Sequence, residues 1–129
     1  MTDDATLLEQ ALEGVVERIG DPAPRVYARL FERWPDLPAL FVGDPRGSVR
    51  GEMFQRVVES LLDLAQGRDW AGALIATERV NHAGLGVSAQ QFEDFFEVMA
   101  EVCREALGPG WTGEIDGAWR RVVGRAMAA

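Results

Sequence analysis

The sequence has one cysteine, one histidine and one tyrosine, and each scarcity removes options. A lone Cys103 cannot close a disulfide within the chain. The start Met1-Thr2-Asp3-Asp4 lacks the basic residues and apolar run of a signal peptide, so the expected compartment is the cytoplasm. Positive charge is also short. Thirteen Lys and Arg face 21 Asp and Glu, a formal charge of -8, which repels a phosphate backbone or an anionic bilayer surface. Neither nucleic acid nor membrane is an expected partner. No apolar run approaches the ~20 residues that span a bilayer, and there is no internal repeat or low-complexity linker. No segment alternates as a strand does, and no glycine-rich dinucleotide fingerprint opens a βαβ unit. What remains is an all-α chain of 129 residues, enough for one domain (1–129) with one core.

Hydrophobic spacing of three and four predicts about six to seven helices. Residues 5–19 carry Leu7, Leu8, Ala11, Leu12, Val15, Val16 and Ile19 on one face, with Asp3 and Asp4 as caps. After Gly20, Asp21 can cap a second helix whose first turn tolerates Pro22 and Pro24 and which runs to about Trp34. Its inward face is Val26, Tyr27, Leu30 and Phe31. Pro35 stops it before a short turn that leaves Phe41 pointing at something apolar. Loop chemistry at 43–47 precedes a third helix with Met53, Phe54, Val57, Val58, Leu61, Leu62 and Ala65 inward. Residues 69–82 are less regular, because Glu78 and Arg79 interrupt the stripe leading to His82. Ser88 and Gln91 form a capping box for a strong stripe from Phe92 to Ala106, and Thr112 can cap a last helix facing inward through Ile115, Ala118, Trp119, Val122, Val123 and Met127.

The stretch Asn81-His82-Ala83-Gly84-Leu85-Gly86-Val87 holds the only imidazole, placed where one helix should close before two glycines. A neutral imidazole is a common metal ligand, although a lone histidine is often just a packed or solvated side chain.

Three segments, in order and in spacing, resemble the globin family, and within it bacterial single-domain globins and the haem domain of flavohaemoglobins. The first is Val26-Tyr27-Ala28-Arg29-Leu30-Phe31-Glu32-Arg33-Trp34-Pro35 with Phe41 beyond it, similar to the turn whose phenylalanine stacks on haem. The second is His82-Ala83-Gly84-Leu85-Gly86-Val87, similar to a proximal-histidine segment. The third is Ala106-Leu107-Gly108 with Trp111-Thr112 and Ala118-Trp119, similar to the last helical hairpin. The resemblance runs over nearly the whole chain and implies a globin fold around haem b.

On that resemblance His82 is the iron ligand, and Tyr27 lies beside the sixth coordination position as a hydrogen-bond donor. Phe41, Val87 and Phe92 belong to the pocket. Aligning the apolar face of the third helix puts Met53 and Val57 on the distal side and Arg56 at the haem edge, where it can pair with a propionate. A register shifted by three residues would put Arg50 and Phe54 there and bury Gln55. The family's proximal tyrosine and glutamate have no counterpart: Phe92 replaces the tyrosine, and the sequence stops at Ala129, short of the glutamate's position. Met53 is a gap-filler or a weak thioether ligand.

Two functions follow from the resemblance. One is reversible binding of dioxygen or another diatomic gas for storage, delivery or sensing. The other is a nitric oxide dioxygenase or peroxidase-like enzyme, which would borrow electrons from a separate reductase. A regulatory module that has lost haem is a third reading, kept open by Glu78 and Arg79. The sequence leaves the oligomeric state open.

Overall fold

A computed structural model describes residues 2–129; Met1, the first residue of the expected 1–129 domain, lies outside the described residues. Six α-helices and two short 3-10 turns make up the fold, with no strand among the described residues. They are α1 (Asp4–Ile19), α2 (Ala23–Arg33), a 3-10 turn (Leu37–Phe41), α3 (Ser48–Ala65), α4 (Trp70–Gly84), α5 (Ala89–Leu107), a second 3-10 turn (Gly108–Gly110) and α6 (Gly113–Ala128).

Local chemistry sets the helix ends. Asp3, rather than Asp4, caps α1 by accepting the Thr6 N–H at 2.8 Å. Asp21 accepts the Ala23 N–H at 3.0 Å, and Pro24 occupies the first turn of α2, where the missing N–H has no bond to lose. Ser88 and Gln91 complete a reciprocal capping box at α5, and Thr112 accepts the Ile115 N–H at 3.2 Å to start α6. One boundary differs from expectation. Helix α4 does not close at His82 but continues through Ala83 and Gly84, and the chain turns only at Gly86, where φ is +90°. Gly84 keeps helical geometry and costs the helix only its propensity, whereas Gly86 supplies a left-handed conformation that side-chain-bearing residues resist.

Helix α1 packs on α6, α5 and α3, while α2 crosses α5 and α3, and α4 lies on α3, α5 and α6. The tightest part of the core joins α1, α5 and α6: Leu8, Ala11, Val15, Val98, Met99, Cys103, Ala118 and Val122 are almost entirely buried. Gly14 allows the close approach, since a Cβ there would lie 2.8 Å from Leu107 Cδ2. Arginines tie helices together at their ends. Arg18 donates to the Leu107 carbonyl at 2.6 Å, Arg125 to the Leu64 carbonyl at 3.0 Å, and Arg121 and Arg125 both reach Asp4. Arg29 and Arg33 of α2 pair with Glu101, Glu105 and Asp94 of α5. Such surface pairs contribute little each, so burial carries the stability. Trp70, at the first turn of α4, is 57% exposed. No helix among the described residues is long and apolar enough to cross a membrane.

Candidate functional site

Packing fails on the side opposite that tight core. Between α2, the first 3-10 turn, α3, α4 and α5 lies an apolar cavity of about 450 Å³. Protein interiors ordinarily leave few voids larger than a water molecule, while pockets for small organic ligands occupy ~300–1,000 Å³. A hollow of this size in so small a chain is therefore shaped for an occupant. Its walls are mostly aliphatic and aromatic: Leu30, Phe41, Met53, Val57, Leu74, Ile75, Leu85, Val87, Phe92, Phe95 and Phe96 among them. Tyr27, Asp44, Arg56, Ser60, Glu78, His82 and Gln91 supply the polar groups.

All eight residues proposed from the sequence, Tyr27, Phe41, Met53, Arg56, Val57, His82, Val87 and Phe92, line this one cavity. The alternative pair does not. Phe54 is buried behind the wall against Phe95, with ring centroids 6.3 Å apart, and Arg50 turns back to its own loop. Gln55 is exposed.

His82 is half-buried on α4. Its Nδ1 lies 2.7 Å from the Glu78 carbonyl, one turn earlier. A carbonyl only accepts, so Nδ1 carries the proton and the neutral ring keeps its lone pair on Nε2. Phe92 meets the ring edge-on at 5.5 Å and fixes its tilt. Arg79, which the helical pattern placed in the stripe, lies over the Phe92 ring at 5.0 Å and pairs with Glu93 at 3.5 Å. Its stem covers apolar surface while its charge is matched on α5. Glu78 also reaches the cavity, its Oε2 3.7 Å from His82 Nδ1.

Tyr27 is buried in a cluster of rings, 5.9 Å from Phe31, 5.8 Å from Phe41 and 5.5 Å from Phe95. Its hydroxyl bonds to no described residue. Burial raises the phenol's pKa far above the ordinary value, with the Arg50 charge opposing and Asp44 adding to the shift. The group is therefore a neutral O–H donor, not a phenolate ligand.

The corner beside Tyr27 is held by Asp44, which accepts the N–H groups of Val49 and Arg50 at 3.1 and 3.0 Å and the Arg50 side chain at 3.2 Å. Burial alone would raise the Asp44 pKa. Those three bonds outweigh it and hold the carboxyl below its usual value. Arg50 in turn lies 5.9 Å over Phe41. Arg56, by contrast, is exposed at the cavity mouth and forms no ion pair with a described residue. Cys103 lies away from the site, fully buried, its thiol pushed up to about 12 by burial, and it is packing rather than chemistry.

Sequence reasoning did not pick out Asp44, Ser60, Gln91 or Glu78 as lining. Only Glu78 had a usable signal: it stands four residues before His82, so it shares that side chain's helix face.

The residues suit a largely apolar group carrying a metal. There is one imidazole with a free Nε2, an aromatic and aliphatic slot, one neutral donor and one unmatched cation at the mouth. The family model described as Globin matches residues 24–129. No curated protein and no solved structure matches the chain.

Proposed function

Since the chain belongs to the globin family, we propose that it binds haem b in this cavity and takes up dioxygen or another diatomic gas reversibly. The observation that carries the reading is His82: an imidazole lining an apolar cavity, its Nδ1–H held by the Glu78 carbonyl so that Nε2 is the free donor atom. Haem bound there would supply an iron able to take a gas molecule, with its electronics tuned by His82 and by the polarity of the pocket. The chain does the rest. His82 ligates the metal, and Phe92 keeps its ring in one orientation. Phe41, Met53, Val57 and Val87 exclude water from the two faces of the slot. Arg56 at the mouth pairs with a carboxylate of the group. Tyr27 donates its O–H toward a ligand that gains partial negative charge, an interaction worth more in an apolar pocket than in water.

The test is replacement of His82 by Ala, followed by addition of free imidazole. Haem retention and the reduced absorbance spectrum should be lost in His82→Ala and partly restored by imidazole. An unchanged spectrum would remove His82 from the site.

A further inference from the structure

We propose that the Glu78 carboxylate is the anionic partner of His82, setting from within α4 how strongly that imidazole donates to the iron; this rests on the haem reading of the cavity. The two residues stand one turn apart on the same helix face, and both line the cavity. Glu78 Oε2 lies 3.7 Å from His82 Nδ1, the nitrogen whose proton the backbone carbonyl of the same glutamate already accepts at 2.7 Å. One residue thus does two things. Its carbonyl orients the ring, and its side chain places a negative charge beside the N–H.

The surrounding charges leave that carboxylate unneutralised. Glu78 pairs with no arginine among the described residues. The nearest cation on α4, Arg79, is taken up by Glu93 and by the face of Phe92. From α5 the side chain that meets His82 is Phe92, which is uncharged. A negative charge beside the outer N–H of a metal-bound imidazole raises the ligand's basicity through space, because it favours positive charge on the ring and so electron donation from the other nitrogen, while the proton itself stays with the backbone carbonyl. The Glu78 side chain is about half exposed, so solvent screens part of the effect, and salt should weaken it further. Glu78 acts through His82 and is a positioning residue, not a catalytic one.

The experiment uses the haem-loaded protein and its Glu78→Gln and Glu78→Asp variants. The iron–histidine stretching band of the ferrous form and the ferric/ferrous midpoint potential are the readouts. Glu78→Gln keeps the size and the helix but removes the charge. Its band should move to lower frequency and its potential to more positive values, with haem content and melting temperature unchanged. Glu78→Asp, one methylene shorter, should shift both in the same direction by less. Added salt should move the wild-type potential toward that of Glu78→Gln and leave the variant's own value nearly still.

If His82-ligated haem is present and neither the band nor the potential responds to Glu78→Gln, the proposal fails while the haem reading stands. Should Glu78→Gln lose haem, Glu78→Asp decides: no shift in it overturns the proposal. If haem is held equally well by His82→Ala, the haem-site reading itself fails, and this proposal with it.

Discussion

Replacing Tyr27 with Phe separates the packing of its ring from the hydrogen-bond donation proposed for its hydroxyl. The ring packs against Phe31, Phe41 and Phe95, all within 6 Å between centroids, and phenylalanine keeps each of these contacts. The hydroxyl has no partner among the described residues, although the side chain is buried. The side chain lines the cavity and its oxygen is not among the fully buried unpaired polar atoms, so the cost of leaving it without a protein partner is below the ~1–3 kcal/mol of a buried group. Removing it from the ligand-free protein should therefore leave the melting temperature unchanged or raise it. With dioxygen present the same change removes a donor. A net hydrogen bond near 1.4 kcal/mol corresponds to about tenfold in an equilibrium constant, and since a lost contact is felt mainly in dissociation, the off-rate should rise by about that factor. Carbon monoxide gains little charge on binding and should respond far less. Stopped-flow displacement of each gas measures both rates. Equal acceleration for the two gases would show that the hydroxyl acts by shape. A fall in melting temperature would show that it is bonded within the protein, contrary to the structure.

Met53 lines the cavity half-buried and should act as an apolar cap, so the ferrous protein should be mainly five-coordinate and Met53→Leu should leave its spin state alone. A low-spin reduced spectrum that Met53→Leu abolishes would make its sulfur a ligand. Alkaline pH offers a second check. Burial raises the Tyr27 pKa above the unfolded value of about 10, so the unfolded chain releases this proton first. The stability tied to neutral Tyr27 is thus fully present below about pH 10 and is lost as the pH rises toward the folded value. Because there is one tyrosine, phenolate absorbance reports this group alone and should appear together with loss of helical circular dichroism. Phenolate forming while the helices stay intact would contradict the burial.

Much of this arrangement was legible in the chain because helices announce themselves through spacing. The caps at Ser88 and Thr112 are short-range chemistry, and a run such as Phe92, Phe95, Phe96 and Met99 can bury only one face. The convergence of Tyr27, Phe41, Met53 and His82 on one cavity was reached through family resemblance, since periodicity places residues on faces and not faces against each other. Helix α4 was the least legible. Its Arg79 finds its ring and its counter-charge on α5, a relation between segments that no local pattern contains. Its extension past His82 through Gly84 escaped notice for a different reason: glycine weakens a helix without forbidding it, and the break waits for Gly86. Asp44 reads as ordinary loop composition until its bonds to the first turn of α3 are seen.

Helix α1 precedes the region that matches the family, residues 24–129, yet it is not an appendage. Leu8, Ala11 and Val15 fill the densest part of the core, and Arg18 closes the carbonyl end of α5 at Leu107. The smallest autonomous folding unit is thus longer than the segment that family likeness delimits. A chain trimmed to begin at residue 24 would bare an oily trench along α5 and α6 and leave α5 frayed at its far terminus. Such a fragment would be expected to clump or be degraded, even with every cavity-lining side chain still encoded.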